Sequence, residues 1–295
     1  MNLKDRVYDL IPLLIIGFLF RKYAAPHLVS DERGLVKKFL YNDNYSNTKP
    51  YLWIHIPQDE NCRNWNTFNE RKTTDINTPY IEYTIKTIVE KNKDFFNICV
   101  LTDDNLIDII PNWSYDISMF SGEKKNRIRE LAKQQILYYY GGLLVPPSLL
   151  CLKSLRSLYV YCDIKPFKIY CSKSESIYGS KKHDPYLQRY ITEIKSYINN
   201  LSIEIEFNDS INRTGDNYFM DVDNKLFGVI DKNDKYISIN LLLGENKIPF
   251  ADNIFGIYIP RIEIQNSIKY GWFQYETILN ISNSSIYISK YFKNL

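Results

Sequence analysis

The segment 51–104 contains the pattern that decides the fold class. It begins with the apolar run YLWIHI at 51–56, and a second run, FFNICVL at 95–101, lies near its end. Both runs are rich in aromatic and β-branched residues, which favours buried strands. Between them, TPYIEYTIKTIVEK at 78–91 places Pro79 after a threonine and spaces its isoleucines as on one helix face, which predicts a helix. A strand, a helix and a strand within about fifty residues indicate a βαβ unit, and therefore a parallel sheet.

The carboxyl end of this sheet is the expected place for a binding site, because ligands of parallel sheets bind beyond the strand ends. Gln58 follows the first strand, and Asp103 and Asp104 follow the second. We expect all three to lie at the mouth of the site. A turn or capping role is the alternative for the two aspartates.

His55 and Trp53 share one face of the first strand, since side chains alternate along it. Trp53 is expected to lie in the core. For His55 two interpretations stay open, a contact with a ligand or a core histidine whose hydrogen bonds are satisfied.

Composition excludes several classes of protein. Of 295 residues, 45% are hydrophobic and 24% are charged, a balance typical of globular rather than disordered chains. The formal net charge of +3 gives no basic footprint, so no nucleic-acid partner is expected. The five cysteines form no C-x-x-C pair and the three histidines are scattered. This argues against a disulfide framework or a zinc site and favours a reducing compartment.

The amino-terminal residues 1–25 contain the apolar run LIPLLIIGFLF at Leu10–Phe20, flanked by lysine and arginine. It is shorter than the roughly 20 residues of a full span. It is interpreted as a short helix that anchors the chain to a membrane, a helix packed on the domain, or a cleaved signal peptide. The polar residues 26–48 resemble a linker, so one domain is expected over residues 49–295.

Further elements are predicted along the rest of the chain. Apolar residues share one arc of a helix over residues 123–140, and Gly141-Gly142 is expected to end it in a left-handed cap. The following apolar strand contains Pro146-Pro147, which confine it to a sheet edge or divide it. The other expected elements are strands at 167–172, 203–207 and 254–259, a helix from 185 to about 197, a hairpin at 229–237, and a tail that packs on the domain.

The order of these motifs resembles a known family. The first strand ends in WIH at 53–55, the second ends in LTD at 101–103, and the helix ends in YYYGG at 138–142 before KSL at 153–155. This order is similar to that of the D-x-D sugar transferases of the capsular polysaccharide synthesis or mannosyltransferase-like branch, in particular a divergent group encoded by large DNA viruses. The resemblance implies a GT-A type, Rossmann-like mixed sheet flanked by helices.

The resemblance also implies roles for individual residues. Glu130 and Lys133 fall where the family has an acid that holds the nucleotide and an arginine that holds a phosphate or the sugar. Lysine is a point charge where arginine offers a planar fork, so the geometry differs. The alternative is a solvent-exposed ion pair one helical turn apart.

The metal-binding motif of the family is missing. Counted from Gly141-Gly142, the two aspartates of D-x-D fall on Pro146 and Ser148, and neither residue can replace a carboxylate on a divalent cation. A literal D-x-D at Asp221–Asp223 lies far from this position, and a turn is its expected role. No metal site is therefore expected.

These patterns lead to two hypotheses for function. The first is a glycosyltransferase-like protein of weak or no activity, which would use a nucleoside diphosphate sugar and, only when active, Mn²⁺ or Mg²⁺. Its binding residues would be His55, Gln58, Asp103, Asp104, Glu130 and Lys133. The second is a non-catalytic structural or interaction protein of a viral particle or membrane, with membrane contact through Leu10–Phe20.

Overall fold

The computed structural model describes residue 40 and residues 45–57, 78–172, 175–199 and 218–293. The strands are β1 (Tyr51–Ile56), β2 (Asn97–Thr102), β3 (Gly142–Val145), β4 (Leu149–Cys151), β5 (Phe167–Tyr170), β6 (Ser176–Ser180), β7 (Met220–Asp221) and β8 (Gly256–Tyr258). Six of them form one mixed sheet in the order β2-β1-β3-β6-β5-β7, and β4 pairs with β8. The predicted α/β class with a mixed sheet is confirmed.

Helices flank this sheet. They are α1 (Pro79–Asn92), α2 (Leu106–Ile109), α3 (Gly122–Tyr140), α4 (Arg156–Tyr159), α5 (Pro185–Asn199), α6 (Ile239–Leu242), α7 (Arg261–Asn266) and α8 (Ile278–Asn283). None of the helices in the described ranges combines the length and the apolar character that crossing a membrane requires. The run Leu10–Phe20 lies outside the described residues, and so does the predicted linker except for residues 40 and 45–48. Leu40 forms an antiparallel bridge with Cys99, and Asn97 Nδ2 donates to the carbonyl of Ser46 at 2.8 Å, so these linker residues contact β2.

The predicted βαβ unit is confirmed. β1 pairs in parallel with β2 on one side and with β3 on the other, while β6 pairs with β3 in the antiparallel direction. β2 begins two residues later than expected, at Asn97, because the amides of Phe95 and Phe96 still bond to the carbonyl of Asn92 beyond the end of α1. The carboxyl ends of β1, β2 and β3 consequently share one edge of the sheet.

The two faces of β1 belong to two different hydrophobic layers. Leu52 and Ile54 pack with α1 and the carboxyl-terminal elements, whereas Trp53 packs with residues of α3 and α5. Trp53 is fully buried and its Nε1 donates to the carbonyl of Gly141 at 2.8 Å. Its predicted core role is confirmed. The sheet is therefore covered on both faces, as expected for parallel strands.

Gly141 and Gly142 let the chain reverse between α3 and β3. Gly141 has φ 70° and ψ −171°, which is not the left-handed helical conformation predicted but the extended positive-φ region that is essentially restricted to glycine. Gly142 has φ 105°, and a Cβ atom there would lie 2.2 Å from the carbonyl oxygen of Tyr51. Both glycines are thus required for β3 to approach β1.

Pro146 and Pro147 divide the predicted apolar strand into β3 and β4, which belong to different sheets. Their turn is closed by a hydrogen bond from the amide of Leu149 to the carbonyl of Pro146 at 3.2 Å. β3 is central rather than at an edge, because both prolines follow its last residue and remove no hydrogen bond from it.

The carboxyl-terminal part packs on the domain as predicted. The ring of Phe273 lies 4.9 Å from that of Tyr80 on α1, and Phe292 lies at the same distance from Tyr83. An antiparallel bridge between Ile230 and Tyr236 confirms the predicted hairpin. The strand expected at 203–207 falls outside the described residues.

Candidate functional site

The carboxyl edge of β1, β2 and β3 gathers several charged side chains into a buried network. His55 is the fifth residue of β1, and Asp103 directly follows β2. His55 Nε2 lies 3.0 Å from Asp103 Oδ1. Both side chains are almost fully buried, with exposed fractions of 3% and 2%. The ends of two parallel strands thus bring His55 and Asp103 into contact.

Arg129 of α3 completes this network. Its Nε donates to Asp103 Oδ1 at 3.1 Å and its Nη2 donates to Oδ2 at 2.5 Å. This is a two-point pair between a guanidinium and a carboxylate, which fixes geometry better than a single contact does. Asp103 thus joins β1 to α3 across the end of the sheet.

The network fixes the protonation of its members. Burial by itself raises the pKa of Asp103, but the hydrogen bonds from His55 and Arg129 outweigh it and hold that pKa well below its usual range. Burial lowers the pKa of His55, and the nearby Lys133 lowers it further. An ionised carboxylate only accepts hydrogen bonds, so His55 Nε2 carries the proton and donates to Asp103. His55 Nδ1 is then a buried acceptor with no partner among the described residues.

A narrow cavity lies beside His55. Its volume is about 20 Å³, enough for roughly one water molecule. Lys133 also borders it, one helical turn after Arg129. The residues that line it are His55, Pro57, Lys133, Leu144, Val145, Pro146, Pro147, Glu175, Ser176 and Arg261.

The far wall of this cavity holds a second buried charge pair. Glu175 Oε1 accepts from Arg261 Nε at 2.8 Å, and its Oε2 accepts from the hydroxyl of Tyr258 at 2.6 Å. Burial, together with the neighbouring carboxylate, raises the pKa of Tyr258, which keeps its hydroxyl protonated as a donor. Glu175 is therefore held by two partners, just as Asp103 is.

The other predicted site residues are placed differently. Glu130 Oε1 accepts from the hydroxyl of Tyr178 and from Gln134 Nε2, both at 2.7 Å. It forms no ion pair with Lys133, so the solvent-exposed pair considered for these residues is wrong. Asp104 is exposed in a single 3₁₀ turn after β2 and does not line the cavity. Gln58 lies outside the described residues.

The two positions at which the resemblance places the D-x-D aspartates lie inside the protein. Pro146 and Ser148 are both buried, and Ser148 Oγ has no partner among the described residues. Asp223, of the literal D-x-D, accepts from the amide of Lys225 at 2.9 Å and begins a 3₁₀ turn, which confirms its expected turn role. The described part of the chain contains no group of three or more His, Cys, Asp or Glu side chains suited to a metal ion.

Three residues of this edge were not predicted as site residues: Arg129, Glu175 and Arg261. Arg129 had a usable signal, since it lies four residues before Lys133 and therefore on the same face of the helix. Glu175 and Arg261 come from segments far apart in sequence and had none. No protein-family model matches the chain, and a search of curated proteins finds no similar sequence.

Proposed function

We propose that this chain is a glycosyltransferase-like protein whose donor site has lost metal-dependent sugar transfer, so that its transferase activity is weak or absent. The donor site is the carboxyl edge of β1, β2 and β3. The fold class and the position of this edge support the first part of the proposal, together with the motif order around Gly141-Gly142.

The state of the carboxylates carries the second part. Asp103 is held by His55 and Arg129, and Glu175 is held by Tyr258 and Arg261. A divalent cation needs carboxylate oxygens that are free to coordinate it. In the transferases that this chain resembles, such a cation stabilises the leaving diphosphate, a contribution of several kcal/mol. A cation at either carboxylate would compete with these hydrogen bonds and would lie beside an arginine, Arg129 or Arg261, of the same charge.

Lys133 is the residue proposed to contact a diphosphate in place of the cation. It borders the cavity beside His55, and within the described residues no ion pair engages its ammonium group. An ammonium group on a flexible stem binds phosphate as a point charge. The cavity itself has room for about one water molecule, so a nucleoside diphosphate would contact the partly exposed Lys133 from outside it, without metal and without the full stabilisation of the leaving group.

Titration of the full chain with UDP and GDP tests the proposal, with and without Mn²⁺. We expect binding that Mn²⁺ does not enhance, and Lys133→Ala should weaken it about tenfold, as loss of a charged hydrogen bond does. Lys195→Ala, which removes an exposed lysine of α5 that does not line the cavity, is the matched control and should leave it unchanged. Transfer or hydrolysis of UDP and GDP sugars that requires Mn²⁺ and is abolished by EDTA would contradict the proposal.

A pair of double variants tests the proposed metal position directly. The double variant Pro146→Asp, Ser148→Asp restores two carboxylates at the family's metal position. We expect its nucleotide binding to become dependent on Mn²⁺, whereas the matched double variant Pro146→Asn, Ser148→Asn should stay independent of it. Equal responses of the two double variants to Mn²⁺ would show that this position is not the metal site.

The small cavity and several exposed apolar side chains favour a second candidate, a non-catalytic interaction protein. Ile268 and Leu279, near the carboxyl terminus, are 105% and 70% exposed, and exposed apolar groups of this size are common at contacts with partners. This candidate predicts that neither UDP nor GDP binds under any condition, and that Ile268→Ser leaves folding intact while it lowers retention of a partner.

A further inference from the structure

A second and larger cavity lies at the opposite end of the sheet. It is an open groove of about 590 Å³ at the amino end of β1, lined by Thr48, Lys49, Pro50, Tyr51, Asp94, Phe95, Tyr140 and Tyr159. This volume falls within the range of small-molecule sites. Tyr51 is about 13 Å along the strand from His55, so the groove, called here the aromatic groove, is separate from the proposed donor site.

Two pairs of aromatic rings line the aromatic groove. The rings of Tyr51 and Tyr140 lie 6.2 Å apart at an angle of 81°, and those of Phe95 and Tyr159 lie 6.1 Å apart at 65°. Tyr51, Phe95 and Tyr159 are each half-buried, so each keeps part of its ring open to solvent. Tyr140 is buried and its hydroxyl donates to the carbonyl of Ile109 at 2.6 Å, so its ring is held in place at the base of the groove.

The charged residues that line the groove are one lysine and one aspartate, Lys49 and Asp94. Lys49 Nζ donates to the carbonyl of Lys93 at 3.0 Å, and the guanidinium of Arg156 lies over the ring of Phe95 at 4.9 Å. Both cations are thus engaged by the protein. Asp94 is exposed, and in the described ranges no hydrogen bond or ion pair engages its carboxylate. The rim therefore offers one open carboxylate acceptor beside flat apolar rings.

From these features we infer that the aromatic groove binds a neutral oligosaccharide. The C–H faces of pyranose rings pack on aromatic rings, whose negative faces attract C–H groups. Sugar hydroxyls are donors, and a carboxylate with two oxygens accepts from adjacent hydroxyls. The groove offers both aromatic rings and a carboxylate acceptor, and its volume of about 590 Å³ has room for more than one small chemical group.

Other ligand classes fit less well. A phosphate or nucleotide would meet the open carboxylate of Asp94. A cationic ligand would find that carboxylate, but also the ammonium group of Lys49 in the groove, while the ring of Phe95 is already covered by the guanidinium of Arg156. A proline-rich peptide needs donors for its carbonyls. The hydroxyls of Tyr51 and Tyr140 already have partners, in Tyr45 and the carbonyl of Ile109, so of the three lining tyrosines Tyr159 alone keeps a hydroxyl without a partner in the described ranges, one donor for several carbonyls.

The test uses the full chain on an array of neutral oligosaccharides built from glucose, mannose, galactose and N-acetylglucosamine, with proline-rich peptides printed beside them. A bound oligosaccharide is then titrated by saturation-transfer difference NMR. We expect Asp94→Ala and Tyr159→Ala each to weaken binding about tenfold, since each removes one of the two kinds of contact. Circular dichroism confirms that both variants are folded.

Two matched variants provide the controls. Asp252→Ala and Tyr275→Ala remove an exposed aspartate and an exposed tyrosine that do not line the aromatic groove, and both should bind as the wild type does. Absence of any bound oligosaccharide, equal affinity in all four variants, or binding of the peptides instead would overturn the inference. The nucleotide titrations measure the other end of the sheet, so the two proposals can fail independently.

Discussion

Replacement of Arg129 by methionine should destabilise the protein strongly while leaving its hydrophobic layers filled. Methionine keeps most of the length of the arginine stem but removes all of its hydrogen-bond donors. Asp103 would then retain His55 but lose the two-point contact with Nε and Nη2. The carboxylate would remain buried with its negative charge only partly compensated.

The size of the effect follows from burial. The side chains of Arg129 and Asp103 are only 9% and 2% exposed, so water cannot replace the lost guanidinium. Removal of one partner from a buried pair costs about 3–5 kcal/mol. With a urea m-value of about 3 kcal/mol/M, the unfolding midpoint should fall by about 1–1.7 M.

Urea unfolding followed by circular dichroism measures this shift. Lys93→Met is the matched control, because it breaks a 2.7 Å ion pair with Glu90 that is open to solvent, and its midpoint should stay near that of the wild type. In the Arg129→Met background, Asp103→Asn removes the buried charge and should restore part of the stability. A fall of the midpoint by less than about 0.3 M, the loss typical of an exposed pair, would show that Asp103 does not depend on Arg129 for the compensation of its buried charge.

Three further changes have expected outcomes. Gly142→Ala should lower the thermal midpoint clearly, because its Cβ would collide with backbone at 2.2 Å, whereas Gly271→Ala, with open space around its Cβ, should not. The fold lowers the pKa of His55, so its contribution to the free energy of unfolding is complete above about pH 6.5 and is lost as the pH falls. Urea unfolding across pH 7 to 5 should therefore show a smaller loss of stability for His55→Gln than for the wild type. Thr87→Val, which removes hydrogen bonds to the carbonyl of Thr84 and from the amide of Cys151, should cost about 1–3 kcal/mol in urea unfolding.

The local patterns were sufficient for the first half of the sheet. YLWIHI predicts β1 with its observed bounds, and the proline after Thr78 marks the observed start of α1. These signals depend on neighbouring residues alone, through burial on two faces and the fixed φ of proline. That the residues after β1 and β2 lie at one edge was also predictable, because parallel strands end at the same edge, but the contact between His55 and Asp103 was not predicted.

The partners of these residues could not be predicted in the same way. Glu130 was expected to bind the nucleotide or, as the alternative, to form a solvent-exposed ion pair with Lys133, but its carboxylate accepts from Tyr178 of β6, 48 residues later, at 2.7 Å. Glu175 and Arg261 meet only because β4 pairs with β8 and carries the chain past the cavity. Such contacts depend on sheet order and crossovers, which hydrophobic periodicity does not encode.

The carboxyl edge of β1, β2 and β3 satisfies its own charges without a ligand. Asp103 has a buried cation and Glu175 a partly buried one, and each has a second donor, so neither needs a metal ion to be stable. To bind a cation of this edge, a diphosphate would have to displace a carboxylate from its arginine or contact Lys133. Only contact with Lys133 avoids the cost of leaving a buried charge uncompensated. Two residues one turn apart on α3 should therefore have different effects. Substitution of Arg129 should lower the stability of the fold, whereas substitution of Lys133 should lower the affinity for a nucleotide.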